Sequence, residues 1–362
     1  MGSETLRQSL IEVFLANHGW DDAQLVWLDQ DASTRRYARL TRSDDSALLM
    51  DAPLIEDPPC RPHMSPAARQ TSGWNAMTRL AGSRVEAFAL IAGHLRDIGL
   101  HAPHVYAHDS QNGFALLEDF GEGREFARLI ERGEADEVTL YTKAATDLAH
   151  LHAQPVPRLI EAQGERWPIL PFDAVALCAN ADLFADWLHL YDDRARMNDA
   201  DRARWEVARD GLIKQAEGFP RALTLRDYHA ENLLWLPGDR IGLLDFQDAV
   251  YGWDVWDMAM LTQDARRTVS PQASQAAVAA YLEATGKDEA DYRLRLAVIG
   301  TLNALRITGV FARLVTRDGK PRYRDFMARQ QAMLAHNLAH PAAAEMAAFV
   351  REVAPFIFEA QP

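Results

Sequence analysis

The hydrophobic pattern of this chain changes near residues 118–123, and this change constrains the fold more than any other feature. Before it, short apolar or alternating runs bounded by polar turns predict an antiparallel sheet. After it, apolar residues recur at helical spacing over long segments, with one β interruption. We therefore expect an α+β protein with two lobes, a sheet-rich N-terminal lobe over 1–119 and a larger, mainly helical lobe over 120–362. A cleft between two lobes is a common ligand site.

The same pattern gives the individual elements. An opening helix is predicted over 6–15, and a second helical stripe runs from 85 to 98. Strands are predicted over 25–28, 37–40, 47–50, 105–108 and 114–117. The stretch 53–75 is rich in Pro, Ser and Arg and is interpreted as a long surface loop. Helices of the second lobe are predicted over 140–151, 181–191, 201–215, 275–285, 292–315 and 323–339.

Charge limits the classes of partner. The chain carries 52 acidic and 38 basic residues, a net charge of −14 over 362 residues. Such a surface repels phosphate backbones and anionic membranes, so we expect a small-molecule substrate and neither nucleic acid nor a membrane as partner. Cys60 and Cys178 lie far apart and form no metal-binding motif, which fits a reducing compartment. We expect a cytoplasmic protein, and a monomer is favoured although the sequence does not fix the oligomeric state.

The most apolar long stretch, 294–315, contains three arginines and is interpreted as a buried helix of a soluble lobe, not a membrane span. These arginines are Arg295, Arg306 and Arg313. The N-terminus lacks the long apolar core of a signal peptide. His150 and His152 are two residues apart on a predicted helix and point to different sides, so packing or capping is favoured over metal binding.

The β interruption carries the most chemistry. A short apolar run over 222–225 predicts a strand, and residues 225–232 read L-R-D-Y-H-A-E-N. Two short strands, over 233–236 and 241–244, then flank a Pro-Gly-Asp-Arg turn, and Asp245 follows. Antiparallel pairing returns Asp245 beside Asn232, with Asp227 close by. A carboxylate and an amide oxygen suit magnesium, and a second carboxylate can accept a hydroxyl proton. This set meets the needs of phosphoryl transfer, in which metal ions hold the phosphates and an Asp orients the nucleophile.

The spacing D-x-x-x-x-N, then D-F-x, then W-D-M-A at 256–259 resembles the aminoglycoside phosphotransferase and choline kinase superfamily. The resemblance implies a bilobal protein-kinase-like fold, with ATP as phosphate donor and Mg²⁺ as cofactor. It implies that Asp227 is the catalytic base and that Asn232 and Asp245 are magnesium ligands. Asp257 is implied as a structural acid behind the catalytic loop.

The resemblance extends into the N-terminal lobe. Residues 31–37 are similar to the turn that covers the ATP phosphates in that superfamily, and 116–120 are similar to the hinge that contacts adenine. The nucleotide-binding residues implied in this way are Ser33, Thr34, Arg35, Arg36, Glu118 and Phe120.

A narrower match involves S-x-R-R-Y at 33–37, M-D-A-P at 50–53 and D-F-Q-D-A-V-x-G at 245–252. Together these are similar to the anomeric N-acetylmuramate/N-acetylglucosamine kinases of bacterial cell-wall recycling. The resemblance implies transfer of the γ-phosphate to the C1 hydroxyl of the free amino sugar. It also implies that a nucleotidyltransferase then uses the sugar 1-phosphate that is formed. Candidate sugar contacts are His229, Asp248 and Tyr251. His229 could instead be exposed to solvent, and the other two could cap the next helix.

Two positions depart from the superfamily pattern. Leu225 stands where a His usually precedes the catalytic Asp, and Met50 stands where a Lys usually pairs with the phosphates and with an acid at the position of Glu86. No Lys occurs in residues 1–142. We expect Arg35 or Arg36 to neutralise the phosphates instead, because arginine suits bidentate phosphate contacts.

Two other functions stay open. The acceptor could be an aminoglycoside, choline or another small hydroxyl compound, since the sequence after Asp257 does not identify it. The missing Lys would also suit a nucleotide-binding pseudokinase, although the complete set of Asp227, Asn232 and Asp245 argues against one.

Overall fold

A five-stranded antiparallel sheet forms the centre of the N-terminal lobe. The computed structural model describes residues 3–29, 35–43, 45–54, 64–82 and 84–359. Helix α1 (Ser3–Asn17) precedes the sheet, whose strands follow the order β1-β2-β3-β5-β4. The strands are β1 (Gln24–Trp27), β2 (Arg36–Arg42), β3 (Asp45–Asp51), β4 (Val105–Asp109) and β5 (Phe114–Glu118). All five were predicted, because alternating side chains produce a clear period of two.

Alternation along each strand sends neighbouring side chains to opposite faces of this sheet. Leu49 and Leu116 pack with α1 on one face. Met50 and Leu117 pack on the other face, against helix α4 (Val85–Asp97). The sheet is therefore covered on both sides, as the two predicted helices require.

The predicted loop over 53–75 was wrong in its second half. The structure has α2 (Pro66–Ser72) and α3 (Trp74–Thr78) there, and residues 55–63 lie outside the described part. Helix α2 has a favourable start, because the Ser65 hydroxyl accepts a hydrogen bond from the amide of Ala68 and Pro66 occupies the first turn. A high content of Pro and Ser concealed these short helices.

The C-terminal lobe is mainly helical, and each predicted long helix is present. Its helices are α5 (Phe126–Glu131), α6 (Glu137–Ala153), α7 (Ala174–Tyr191), α8 (Asp199–Glu217), α9 (Trp256–Thr262), α10 (Pro271–Thr285), α11 (Glu289–Thr316), α12 (Arg324–Leu338) and α13 (Ala344–Val353). Short 3-10 helices cover Pro321–Tyr323, Pro341–Ala343 and Pro355–Phe358.

Three two-stranded sheets interrupt these helices, where the sequence predicted one hairpin and a short strand over 222–225. That hairpin is β9 (Leu233–Leu236) with β10 (Arg240–Leu243). A second hairpin joins β6 (Leu159–Ala162) to β7 (Glu165–Pro168). The third sheet pairs β8 (Arg221–Thr224) with β11 (Val250–Trp253), strands too far apart in sequence for local patterns to match them.

Helix α11 forms the core of the C-terminal lobe and crosses α7 at very short range. A Cβ atom on Gly309 would lie 2.1 Å from the carbonyl carbon of Leu183 and 2.4 Å from the amide nitrogen of Phe184. The helix is long and apolar enough to cross a membrane, but 78% of its most apolar window is buried inside the protein. This burial is what the sequence predicted for 294–315.

Candidate active site

A cavity of about 650 Å³ lies between the two lobes and is lined by residues of both. Its lining divides by chemistry. Leucines from the sheet and the hairpin form an apolar part, namely Leu28, Leu48, Leu117, Leu234 and Leu244. Asp227, Asn232 and Asp245 also line it, and beyond Asp227 the lining is rich in arginine. A volume of this size suits a small-molecule site.

The hairpin brings the three predicted site residues together. Leu243 pairs with Leu233, and the next amide, that of Leu244, donates a hydrogen bond of 2.9 Å to the carbonyl of Asn232. Asp245 therefore emerges beside Asn232. The Asn232 side-chain nitrogen donates to the carbonyl oxygen of Asp227 at 2.9 Å, which holds the start of the loop against its end.

The donor set fits a magnesium ion. Because the nitrogen of the Asn232 amide is engaged with the loop, its oxygen remains for a cation. Asp245 Oδ1 accepts hydrogen bonds from Gln247 Nε2 at 2.7 Å and from Arg35 Nη2 at 3.3 Å. Within the described ranges, no group of three or more His, Cys, Asp or Glu side chains could hold a metal. Mg²⁺ commonly takes only one or two protein ligands and completes its shell with phosphate oxygens and water.

A buried acid supports the loop that carries Asp227. The Asp257 carboxylate accepts hydrogen bonds from the amides of Leu225 at 2.7 Å and Arg226 at 2.8 Å. Burial raises the pKa of Asp257 to about 7, against the opposing effect of those two hydrogen bonds. Trp256 Nε1 donates to the carbonyl of Arg226 at 3.2 Å. The loop is thus fixed from behind, which leaves the half-buried Asp227 side chain at the cavity.

The two candidate phosphate-binding arginines lie in different places. Arg35 lines the cavity, and its Nη2 lies 3.3 Å from Asp245 Oδ1. Arg36 is not part of the lining. It forms an ion pair with the fully buried Asp51 and lies over the Trp27 ring. Ser33 and Thr34 fall outside the described residues.

Glu118 and Phe120, the predicted hinge residues, both line the cavity. Glu118 Oε2 accepts a hydrogen bond of 3.0 Å from the amide of His104. The Phe120 ring packs on the hairpin, where a Cβ atom on Gly242 would approach its Cδ2 and Cε2 atoms to 2.9 Å. Glycine at position 242 lets the predicted hinge segment around Phe120 lie directly on β10.

Met50 and Glu86 do not restore the missing lysine pair. Met50 is fully buried between the sheet and α4, and neither residue lines the cavity. Glu86 Oε2 has no hydrogen-bond partner in the described structure, and burial raises the pKa of this carboxyl. Arg35, which contacts Asp245 on the cavity wall, is therefore a cation of this lobe that lies beside the three site residues.

The predicted sugar contacts divide in the same way. His229 is 4% exposed and lines the cavity, with Nε2 3.3 Å from Arg266 Nη1, so the solvent-exposed alternative is wrong. Burial, reinforced by Arg266, lowers the pKa of His229 to about 4. Asp248 also lines the cavity and accepts a 3.0 Å hydrogen bond from the amide of Ala81. Tyr251 lies on β11, is 42% exposed and is absent from the cavity lining.

Sequence reasoning missed the arginine-rich end of the cavity. Its members are Arg79, Arg226, Arg266, Arg306 and Arg313, together with Trp74 and Asn180. One signal was available, because Arg306 and Arg313 are seven residues apart in the most apolar helix of the chain. That spacing places them on one face.

Comparison with known proteins identifies relatives over nearly the whole chain. The phosphotransferase enzyme family matches residues 27–295. An N-acetylmuramate/N-acetylglucosamine kinase of Caulobacter vibrioides is 43% identical over 357 residues, covering 96% of this chain and 97% of that protein. A kinase of the same name from Pseudomonas aeruginosa is 30% identical, covering 88% of this chain and 85% of that protein.

Solved structures show the same fold at low sequence identity. A choline/ethanolamine kinase family protein from Mesorhizobium loti superposes with a TM-score of 0.58 at 16% identity, covering 97% of this chain and 100% of that chain. An aminoglycoside phosphotransferase with bound ADP gives a TM-score of 0.53 at 12% identity, covering 89% and 98%. The expected bilobal kinase-like fold is confirmed.

Proposed function

The chain belongs to the phosphotransferase enzyme family, and on this premise we propose that it transfers the γ-phosphate of ATP to the anomeric C1 hydroxyl of N-acetylmuramate or N-acetylglucosamine. The observation that carries the proposal is the meeting of Asp227, Asn232 and Asp245 in the cavity between the lobes. The kinase from Caulobacter vibrioides supports the choice of acceptor, because it aligns over almost the full length of both chains.

We assign nucleotide binding mainly to residues 1–119 and acceptor binding to 120–362. The apolar part of the cavity suits adenine, which would lie beside the hinge residues Glu118 and Phe120. Arg35 takes over the phosphate contact that the lysine would make, since it lies at Asp245 on the cavity wall. A nearby cation matters here, because a protein with a net charge of −14 repels a polyphosphate.

Asn232 and Asp245 would hold the magnesium ion. When bound, it would neutralise the charge that builds up on the phosphates during transfer. The hydrogen bonds of the loop and of Gln247 keep both ligands in place before the nucleotide arrives.

Asp227 orients the acceptor. Its carboxylate accepts a hydrogen bond from the C1 hydroxyl and directs that oxygen at the γ-phosphorus. A bond forms between the sugar oxygen and phosphorus, while the bond from phosphorus to the β–γ bridging oxygen breaks. The hydroxyl proton passes to Asp227, and the products are ADP and the sugar 1-phosphate.

Free cell-wall amino sugars and ATP meet in the cytoplasm, so we place the enzyme there, with a role in peptidoglycan recycling. The arginines of the cavity disfavour aminoglycosides and choline, because those acceptors are cations. The pseudokinase alternative is disfavoured by the complete and well-supported site around Asp227.

The test measures ADP release by the purified protein with ATP and Mg²⁺. N-acetylmuramate, N-acetylglucosamine, choline and kanamycin are compared, and ³¹P NMR identifies the product. We expect turnover with the amino sugars and a phosphorus signal coupled to the anomeric proton. Turnover with choline or kanamycin alone, or ADP release with none of the four, would refute the proposal.

The variant Asp227→Asn tests the catalytic base. We expect kcat to fall by about 10²- to 10⁴-fold, with the affinity for ADP unchanged, because a positioned general base contributes that much. Asp239→Asn is the matched control, since it is the same substitution at an exposed residue of the hairpin turn, where Asp239 has φ +55°. Wild-type turnover in Asp227→Asn would remove this residue from its role.

A further inference from the structure

Five arginines concentrate positive charge at one end of the cavity. Four of them form no ion pair with a carboxylate in the described parts of the chain, namely Arg79, Arg226, Arg306 and Arg313. The fifth, Arg266, has Glu231 at 3.3 Å. Four arginines without a carboxylate partner are unexpected in a chain with a net charge of −14. Clustered like charges repel each other, so this end of the cavity needs an anionic partner.

Arg226 combines a buried side chain with a strained backbone conformation. It is 7% exposed and its backbone has φ +77°, a conformation that side chains rarely adopt outside glycine. The guanidinium lies over the Phe172 ring at 5.1 Å, while its Nε and Nη1 atoms have no hydrogen-bond partner among described residues. Strained backbone of this kind is retained where a functional site requires it.

Arg306 and Arg313 reach the cavity from one face of α11, two turns apart, with Val310 between them. Burial lowers the pKa of Arg306 to about 10, and Arg226 and Arg266 act in the same direction against Asp227. The guanidinium therefore stays charged at neutral pH. Arg313 lies over Trp74 at 5.1 Å, and its Nε has no partner within the described residues.

Several buried nitrogens on this wall have no hydrogen-bond partner in the described structure, namely Nε and Nη1 of Arg226, Nε of Arg313, Nε1 of Trp74 and Nδ2 of Asn180. Arg306 differs, because its Nε donates a hydrogen bond of 3.0 Å to Asn303 Oδ1, but it has no carboxylate partner. Buried donors without acceptors are unfavourable, so a ligand rich in oxygen and negatively charged would complete the wall. The proposed function assigns the ATP phosphates to Asn232, Asp245 and Arg35, and none of these three residues belongs to the arginine-rich wall.

We propose that Arg226, Arg306 and Arg313 form an anion subsite that binds a carboxylate of the acceptor sugar, so that the enzyme prefers N-acetylmuramate to N-acetylglucosamine. This inference rests on the proposed function. N-acetylmuramate carries a lactyl carboxylate on its 3-oxygen, whereas N-acetylglucosamine has a hydroxyl there. The two sugars therefore differ in the group that the subsite would recognise.

The test compares kcat/KM for the two sugars in the wild type, Arg313→Gln and Arg306→Gln. We expect the wild type to favour N-acetylmuramate, and each variant to reduce this preference by about ten- to a hundred-fold through a higher KM, as loss of a charge-assisted hydrogen bond would. Arg317→Gln is the matched control, because Arg317 is exposed directly after the C-terminal end of α11 and pairs with Asp318. The methyl ester of N-acetylmuramate should behave like N-acetylglucosamine in all four proteins.

An unchanged preference in Arg313→Gln and Arg306→Gln, with both sugars still phosphorylated, would overturn the subsite while the proposed function stands. A rise in KM for ATP with the preference unchanged would overturn it too, since the arginines would then serve the nucleotide. If the wild type phosphorylates neither sugar, the proposed function fails, and calorimetric binding decides the subsite separately. The subsite would be supported if N-acetylmuramate bound to the wild type and bound at least tenfold more weakly to Arg313→Gln. Equal affinity of the two proteins for N-acetylmuramate would refute the subsite.

Discussion

Replacing Gly309 with alanine should separate the two helices that form the centre of the C-terminal lobe. The new Cβ atom would lie 2.1 Å from the carbonyl carbon of Leu183 and 2.3 Å from its oxygen. Both groups are backbone and cannot rotate away, so α11 must move from α7 by more than about 1 Å to restore van der Waals contact.

The expected cost follows from two opposing effects. Alanine favours a helix over glycine by about 1 kcal/mol. Overpacking a close contact costs about 1–3 kcal/mol, and the upper end applies here because neither side can yield without moving a helix. We expect Gly309→Ala to lower the free energy of unfolding by about 2 kcal/mol.

The position of Gly309 adds a functional effect. Arg306 and Arg313 lie one turn to either side of it on α11, and Asn180 lies one turn before the crossing point on α7. A shift between these helices would therefore widen the arginine-rich end of the cavity, where we propose that the acceptor binds. We expect KM for the acceptor to rise in Gly309→Ala while KM for ATP changes little.

Urea denaturation followed by tryptophan fluorescence measures the stability change. Gly93→Ala is the matched control, because Gly93 is exposed in α4 and a Cβ there would meet nothing within 4 Å. This control should gain up to about 1 kcal/mol from helix propensity alone. If Gly309→Ala were as stable as Gly93→Ala, the close approach of α11 to α7 would be wrong.

Two further predictions concern Arg35 and the acid stability of the fold. Arg35→Gln should raise KM for ATP about ten- to a hundred-fold. Arg36→Gln should instead lower stability, because it removes one of the two arginines, Arg7 and Arg36, that pair with the buried Asp51. Equal KM values for ATP in both variants would contradict this. Burial, reinforced by Lys287, lowers the pKa of His152 to about 3, so the unfolded chain binds its proton more tightly. The free energy of unfolding should therefore fall by up to about 1.4 kcal/mol per pH unit between about pH 6.5 and pH 3, and His152→Gln should flatten this dependence in urea titrations at several pH values.

Local register explains why the centre of the site could be predicted from sequence. Asn232 and Asp245 are joined by one tight hairpin, so the turn alone fixes which residues face each other. That Asn232 and Asp245 lie side by side could therefore be predicted without knowing how distant parts of the chain pack. The same holds for the N-terminal strands, where the period of two is complete within each run.

Features that depend on distant segments could not be predicted. Tyr251 is placed by the pairing of β11 with β8, and this register turns it away from the cavity. Arg306 and Arg313 are separated from Arg226 by about 80 residues, and only the packing of α11 brings them to one wall. Short polar helices such as α2 carry too little apolar periodicity to be recognised.

Met50 in the place of a lysine has a practical consequence for chemical proteomics. The chain holds four lysines, the first of them at residue 143, and none is among the residues that line the cavity. Acyl-phosphate derivatives of ATP label kinases by transferring their acyl group to an amine near the phosphates. Such reagents would find no lysine to acylate in the proposed nucleotide site, so surveys of kinases by lysine labelling would overlook this protein even when it is abundant and active.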